Sequence, residues 1–245
     1  MLATGGAGEG VVVENLDIQA VESLISHIEK TKGRLDFLVN DIFGGDRYAK
    51  YDKMLWEHDL TGGLRMMRMG IDTHLITCTK AIPLMRRTGN GLVVEMTDGT
   101  AEYNREYRTE VGMYYDIVKA EVSRITLGLA YELRNEPFTA VTVTPGWIRS
   151  EAILENFDVK EENWRDAITK EPHFCISETP YFVAWGISAL GGDEHRRKFN
   201  GKTLSSFDLS RIYGTTDLDG SAPDSWRYVV EIQDKGLPAN ETGYK

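Results

Sequence analysis

Tyr115 and Lys119 lie in the run YDIVK, four positions apart. On a helix that spacing puts both side chains on one face, where they act together. A free tyrosine titrates at about 10. A neighbouring ammonium favours the phenolate and lowers that value, which makes proton exchange with an alcohol or a carbonyl feasible near neutral pH. Tyr114 points well away from the lysine, so Tyr115 is the better acid. Taken alone the pair is weak evidence, because Tyr and Lys meet by chance on many solvated helices.

The elements that must position the pair follow from periodicity. The β-branched residues 11–13 read as a buried strand. Asp17 is placed to cap a helix through Val21, Leu24, Ile25 and Ile28 that ends at Gly33, and residues 35–39 read as a second strand. Strand, helix, strand in that order implies parallel pairing. The pattern repeats: a helical region over 60–85, a turn at Gly89-Asn90-Gly91, a strand over 92–96, and a helix over 113–134. That helix has the apolar stripe Val118, Val122, Ile125, Leu129 and Leu133. A strand over 138–143 closes at Pro145-Gly146. Thr179 and Pro180 begin another helix, and a last strand covers 203–206. About five strands alternating with helices predict a doubly wound parallel α/β sheet. Residues 1–206 form that unit, and 207–245 read as an irregular C-terminal extension. Ligands of such sheets sit beyond the carboxyl ends of the strands, so loops 40–47, 97–112 and 144–178 matter most. The last is long enough to be a substrate lid, with Trp147, Phe157 and Trp164 packing it.

Three motifs in order then carry a resemblance. VNDIFGG (39–45) follows a strand, YDIVK opens a helix after the next, and TPGWIRS (144–150) follows the one after that. They resemble NNAG, YxxxK and PGxxxT of the short-chain dehydrogenase/reductase family, over about residues 8–206. The resemblance implies a Rossmann-like fold and an oxidoreductase that interconverts an alcohol and a carbonyl with NAD or NADP. It makes Tyr115 the catalytic acid/base and Lys119 the residue that tunes it and holds the nicotinamide ribose. Asn40 would sit beside the cofactor, Pro145, Gly146 and Ser150 would line the nicotinamide pocket, and Glu14 would stand where the family contacts adenine.

Departures from the pattern are as informative. The family's catalytic serine aligns with Thr97-Asp98. A carboxylate at Asp98 donates no hydrogen bond unless protonated, so Thr97, Asp98 or Thr100 is left to serve. The family's helix asparagine aligns with Gly70. Thr4-Gly5-Gly6-Ala7-Gly8-Glu9-Gly10 resembles the phosphate-binding TGxxxGxG only superficially, because the spacing is one short and a strand rather than a helix follows. It matches better the turn before the family's third strand, so the first two strands and their helices are expected to be missing. Val11–Val13 would then pair with the strand over 35–39 or leave an exposed edge, which invites a homo-oligomer.

Composition narrows the partners. A net charge of −10 over 245 residues repels phosphate backbones and anionic surfaces, which sets nucleic acid and membranes aside. Two cysteines, Cys78 and Cys175, match no zinc spacing and no disulfide framework, the five histidines show no metal spacing, and a cytoplasmic setting with a small-molecule substrate is expected. Two other readings use the same residues: a cofactor-independent enzyme with a Tyr-centred acid/base, like the halohydrin dehalogenases, and a non-catalytic or truncated subunit.

Overall fold

The computed structural model describes residues 7–51, 53–108 and 110–245. Four parallel strands form one sheet in the order β1 (Phe37–Asn40), β2 (Gly91–Met96), β3 (Phe138–Thr144), β4 (Thr203–Ser205). Register runs Val39 to Val94, Val94 to Val141, and Val143 to Leu204. β3 is buried along its whole length and β2 nearly so, as expected of parallel strands covered on both faces.

Helices α1 (Ile18–Lys32), α3 (Thr73–Thr88) and α4 (Met113–Glu132) cover one face, meeting it through Ile25, Met85, Val93, Ala130, Phe138 and Ala140. Helices α6 (Pro180–Gly192) and α7 (Ser206–Tyr213) cover the other through Val94, Val141, Val183, Leu190 and Leu209. Capping follows the sequence signals. Asp17 accepts from the backbone of Gln19 and Ala20, and Gly33 closes α1 in the left-handed conformation, which glycine enters without a Cβ penalty.

One strand expectation fails. Residues 11–13 form no strand; Val12 is fully exposed and Val11 half so. A three-residue β-branched run is a strand only where a neighbour offers a ladder and a buried face, and here the chain passes straight into the turn before α1. β1 is therefore the sheet edge, with Phe37 and Val39 both nearly half exposed. Of the glycine-rich run, residues 4–6 lie outside the described residues, and Ala7 to Gly10 are exposed without regular structure.

The helical region expected over 60–85 is α2 (Leu60–Met67), a π-turn at Arg68–Asp72, and α3. Gly70 sits in that turn against α4. A Cβ there would lie 2.2 Å from Val118 Cγ1 and 3.2 Å from the Phe43 ring. The glycine at the family's asparagine position is thus what lets the two helical segments touch.

The segment after β3 contains α5 (Glu151–Phe157), capped by Ser150, and two short 3-10 stretches. Trp147, Phe157 and Trp164 gather around buried Phe174 at 5.9, 5.0 and 5.9 Å between ring centres. The C-terminal residues, including α8 (Ser225–Tyr228), return over the turn after β3. Trp226 donates to the Pro145 carbonyl at 3.0 Å, and a Cβ on Gly146 would strike Ser225 at 2.1 Å. Beneath this contact lies Glu178, fully buried, accepting from Ser206 at 2.8 Å. Burial pushes its carboxyl up to about 8, against its bonds to Ser206 and the Gly146 backbone.

Two outcomes follow from this packing. Gly70→Ala should cost roughly 1–3 kcal/mol in urea denaturation, because neither Val118 nor the turn can retreat freely; an unchanged midpoint would contradict the close approach. Glu178 has a raised folded-state pKa, so the stability linked to it is complete below about 4.5 and lost as pH rises toward about 8. Glu178→Gln should remove that slope, so that the variant gains on the wild type by on the order of 1 kcal/mol per pH unit inside the window. Denaturation curves at pH 5 and 8 check this.

Candidate active site

The carboxyl ends of β1, β2 and β3 and the start of α4 meet at one place. Tyr115 and Lys119 lie on the same face of α4, both half-buried. Phe43, in the segment after β1, packs against both. Its ring meets Tyr115 edge-on at 5.7 Å, and the Lys119 ammonium lies 3.9 Å above its centre. Tyr114 turns away into the packing between α2 and α4, beside Met66 and Val118.

The three alternatives for the missing hydroxyl now separate. Thr97 donates its hydroxyl to the Lys119 carbonyl at 2.6 Å, so it ties β2 to α4 and is spent. Thr100 accepts from the Tyr103 backbone at 3.2 Å, a local turn contact. Asp98 is the residue that faces the tyrosine: the Tyr115 hydroxyl donates to Asp98 Oδ2 at 3.1 Å. The same oxygen accepts from Arg108 Nη1 at 3.1 Å.

Arg108 is a site residue that the sequence reading did not single out. It comes from the loop after β2, is 6% exposed, and lies 5.6 Å from the Tyr115 ring centre. Its backbone N–H donates to Asp116 Oδ1 at 3.2 Å, which anchors the loop to the first turn of α4. Burial alone would lower the guanidinium, but the charge of Asp98, with Tyr115 and Asp116, raises it. The only signal for it in the sequence is an arginine in a loop already marked as important.

These neighbours overturn one electrostatic expectation. Tyr115 is raised well above 10, by burial first and then by the Asp98 charge, with Arg108 opposing. Lys119 is lowered by burial, opposed by Asp98, Asp46 and Asp41. Its ammonium is farther from the phenol than Asp98 is, so the carboxylate prevails.

A second cluster supports the first from below. Glu95, on β2 and fully buried, accepts from Asn40 Nδ2 at 3.0 Å and from Cys78 at 2.9 Å, and pairs with His74 Nδ1. His74 Nε2 meets the Ile42 carbonyl at 3.0 Å. That carbonyl only accepts, so Nε2 carries a proton and the His74–Glu95 contact holds another. Asn40 is therefore committed inside the sheet, where it fixes the end of β1. The signal was legible as a glutamate inside the apolar run 92–96, which demands buried partners.

The remaining expected residues are spread more widely. Pro145 and Gly146 form the turn after β3, and Ser150 caps α5 by accepting from Ile153 at 3.4 Å. Glu14 is exposed and accepts from the Leu16 backbone at 3.3 Å, a local contact that brings it to no other site residue.

Lys119 also bears on what the site could hold. Among the described residues its ammonium has no hydrogen-bond acceptor, only the Phe43 and Tyr115 rings at 3.9 and 5.3 Å. A half-buried ammonium without acceptors fits a ligand that brings them, such as a ribose diol. The cavity beside it, lined by Asp41, Phe43, Gly70, His74 and Lys119 among others, measures about 30 Å³. A ribose reaching that ammonium would meet the Phe43 ring seated on it. Among the described residues no glycine-rich turn opens a helix toward this point, so those residues offer a ribose partner in Lys119 and no phosphate cradle. No helix among the described residues is long and apolar enough to cross a membrane.

Comparison with known proteins identifies the family. The family model described as enoyl-(acyl carrier protein) reductase matches residues 4–194. Dehydrogenase/reductase SDR family member 1 of Mus musculus is 29% identical over 221 residues, 88% of this chain and 69% of that protein. The Homo sapiens protein of the same name is 28% identical. Among solved structures, ElxO with NADP bound is 25% identical with a TM-score of 0.64, covering 81% of this chain and 77% of that one. A D-mannonate oxidoreductase from Haemophilus influenza with bound NAD shares the fold at a TM-score of 0.69 and 15% identity, covering 86% and 79%. The chain belongs to the short-chain dehydrogenase/reductase family.

Proposed function

We propose that this chain is an oxidoreductase that interconverts an alcohol and a carbonyl on a small molecule, using NAD or NADP. The observation that carries the reading is Tyr115 and Lys119 on one face of α4, at the carboxyl ends of the strands, with a carboxylate on the phenol and, among the described residues, no hydrogen-bond acceptor on the ammonium. Tyr115 handles the proton of the substrate oxygen. Lys119 holds the nicotinamide ribose, and the turn at Pro145 and Gly146, with Ser150 beyond it, borders the nicotinamide. The bound dinucleotide supplies or accepts the hydride.

The four strands are read as the half of the family's sheet that begins at its NNAG strand. The strands that precede it in the family pattern, with the phosphate loop, are not seen among the described residues. Residues 207–245 begin inside α7, which packs on the sheet; the part beyond it, including α8, covers the turn after β3 through Trp226 on the Pro145 carbonyl and is read as bordering the substrate side. The half-exposed Phe37 and Val39 on edge strand β1 support a homo-oligomer that covers them.

Titration calorimetry with NADH and NADPH, followed by turnover of an alcohol panel, tests the reading. One dinucleotide should bind, and Tyr115→Phe should lower kcat by about 100-fold or more with its affinity for the dinucleotide unchanged. Absence of binding at millimolar concentration, or full turnover by Tyr115→Phe, would contradict the assignment.

A further inference from the structure

Asp98 occupies the place beside the tyrosine hydroxyl where the family pattern puts a hydroxyl donor, and it reverses the direction of that hydrogen bond. A serine there donates toward the substrate oxygen; the Asp98 carboxylate accepts from Tyr115 at 3.1 Å. It also has a dedicated counter-charge, since buried Arg108 donates to the same oxygen, Oδ2, at 3.1 Å and is itself anchored on Asp116. Asp98 keeps more than a third of its side chain exposed, so it stands at the rim of the site rather than sealed within it. A buried arginine committed to a half-exposed carboxylate is costly unless the ionised carboxylate is needed.

We propose that Asp98, which accepts from Tyr115 and is paired with Arg108, is the proton acceptor of the site, receiving the Tyr115 proton as Tyr115 receives the substrate's. The inference rests on the oxidoreductase reading and gives it a direction. As the alcohol O–H breaks, its proton bonds to the phenol oxygen. The Tyr115 O–H breaks in the same movement, and its proton passes to Asp98 Oδ2. The oxidant is the oxidised nicotinamide dinucleotide of the proposed function, which takes the hydride from the carbinol carbon. With Asp98 ionised the site is competent to oxidise an alcohol; reduction requires Asp98 to be protonated first. Tyr115, kept neutral by burial and by Asp98, is a conduit and not the terminal base. Arg108 is a positioning residue that acts through Asp98.

The groups that set this balance come from every element packed on the phenol. They are Asp98 and Arg108 from the loop after β2, Lys119 and Asp116 from α4, and Asp46 from the segment after β1. Tyr51 also feels Asp98 and Asp46.

Two measurements test the proposal. The first needs no cofactor: the Tyr115 ring carbon is followed by NMR in tyrosine-labelled full-length chain, assigned with Tyr115→Phe, and titrated in wild type and Asp98→Ser. Removing the carboxylate while leaving Arg108 and Lys119 should move the phenol titration down by more than one pH unit. The second is the pH profile of kcat/KM for alcohol oxidation. Wild type should turn over at pH 7. Asp98→Asn, which keeps the shape but takes no proton, should lose about 100-fold at pH 7 and recover toward pH 10. A Tyr115 resonance that titrates identically in both proteins, or an Asp98→Asn profile that matches the wild type, would overturn the proposal while leaving the oxidoreductase reading intact. Failure of the wild type to bind any dinucleotide would overturn that reading, and the oxidation step with it.

Discussion

The Glu95 carboxylate is the constraint on which the architecture turns. It lies in the middle of the sheet with no exposed surface, where an unmatched charge would cost several kcal/mol. Satisfying it requires Asn40 from β1 and both His74 and Cys78 from α3 to converge on one point. His74 in turn reaches the Ile42 carbonyl, just past β1. Strand, helix and loop are thereby locked at the end of the sheet where ligands bind. Removing His74 would leave Glu95 without its ion-pair partner, at a cost of about 3–5 kcal/mol. Burial and the neighbouring Glu95 charge also push the Cys78 thiol up, which leaves it an inert donor in this cluster.

The positions just past the end of β2 build the chemical site. Thr97 ties the strand end to the Lys119 carbonyl. Asp98, the next residue, reaches the Tyr115 hydroxyl one turn earlier on the same helix. One helix thus presents two groups in contrasting surroundings. Tyr115 lies against a carboxylate and an arginine, Lys119 against an aromatic ring. Their titrations move apart, the phenol upward and the ammonium downward, a separation typical of working acid–base sites.

Much of this was legible in the sequence because the signals were local. Asp17 and Gly33 delimit α1, Thr179 and Pro180 open α6, and the apolar stripe of α4 is buried at Val118, Val122 and Leu133, with Thr126 and Ala130 rather than Ile125 and Leu129 taking the innermost places between them. The strands at 37–40, 91–96, 138–144 and 203–205 each follow a turn signal and an apolar run. Residues 11–13 carried the same local signal and failed, since a strand exists only with a neighbour. The phenol's direction was misjudged for a related reason. Helix spacing reveals Lys119 beside Tyr115, but Asp98 and Arg108 reach the hydroxyl from a loop whose path no periodicity encodes. The family pattern flagged position 98 as a departure; only the fold shows that the replacement meets the tyrosine.

The account stands or falls on what occupies the space between Phe43, Tyr115 and Lys119. The most direct measurement is a crystal structure of the chain soaked with NAD or NADP. The account predicts the nicotinamide ribose with its diol on Lys119 Nζ, the Phe43 ring rotated out of its present contact, and the nicotinamide face turned toward Tyr115. A dinucleotide bound elsewhere, with Phe43 still seated on the Lys119 ammonium, would contradict it.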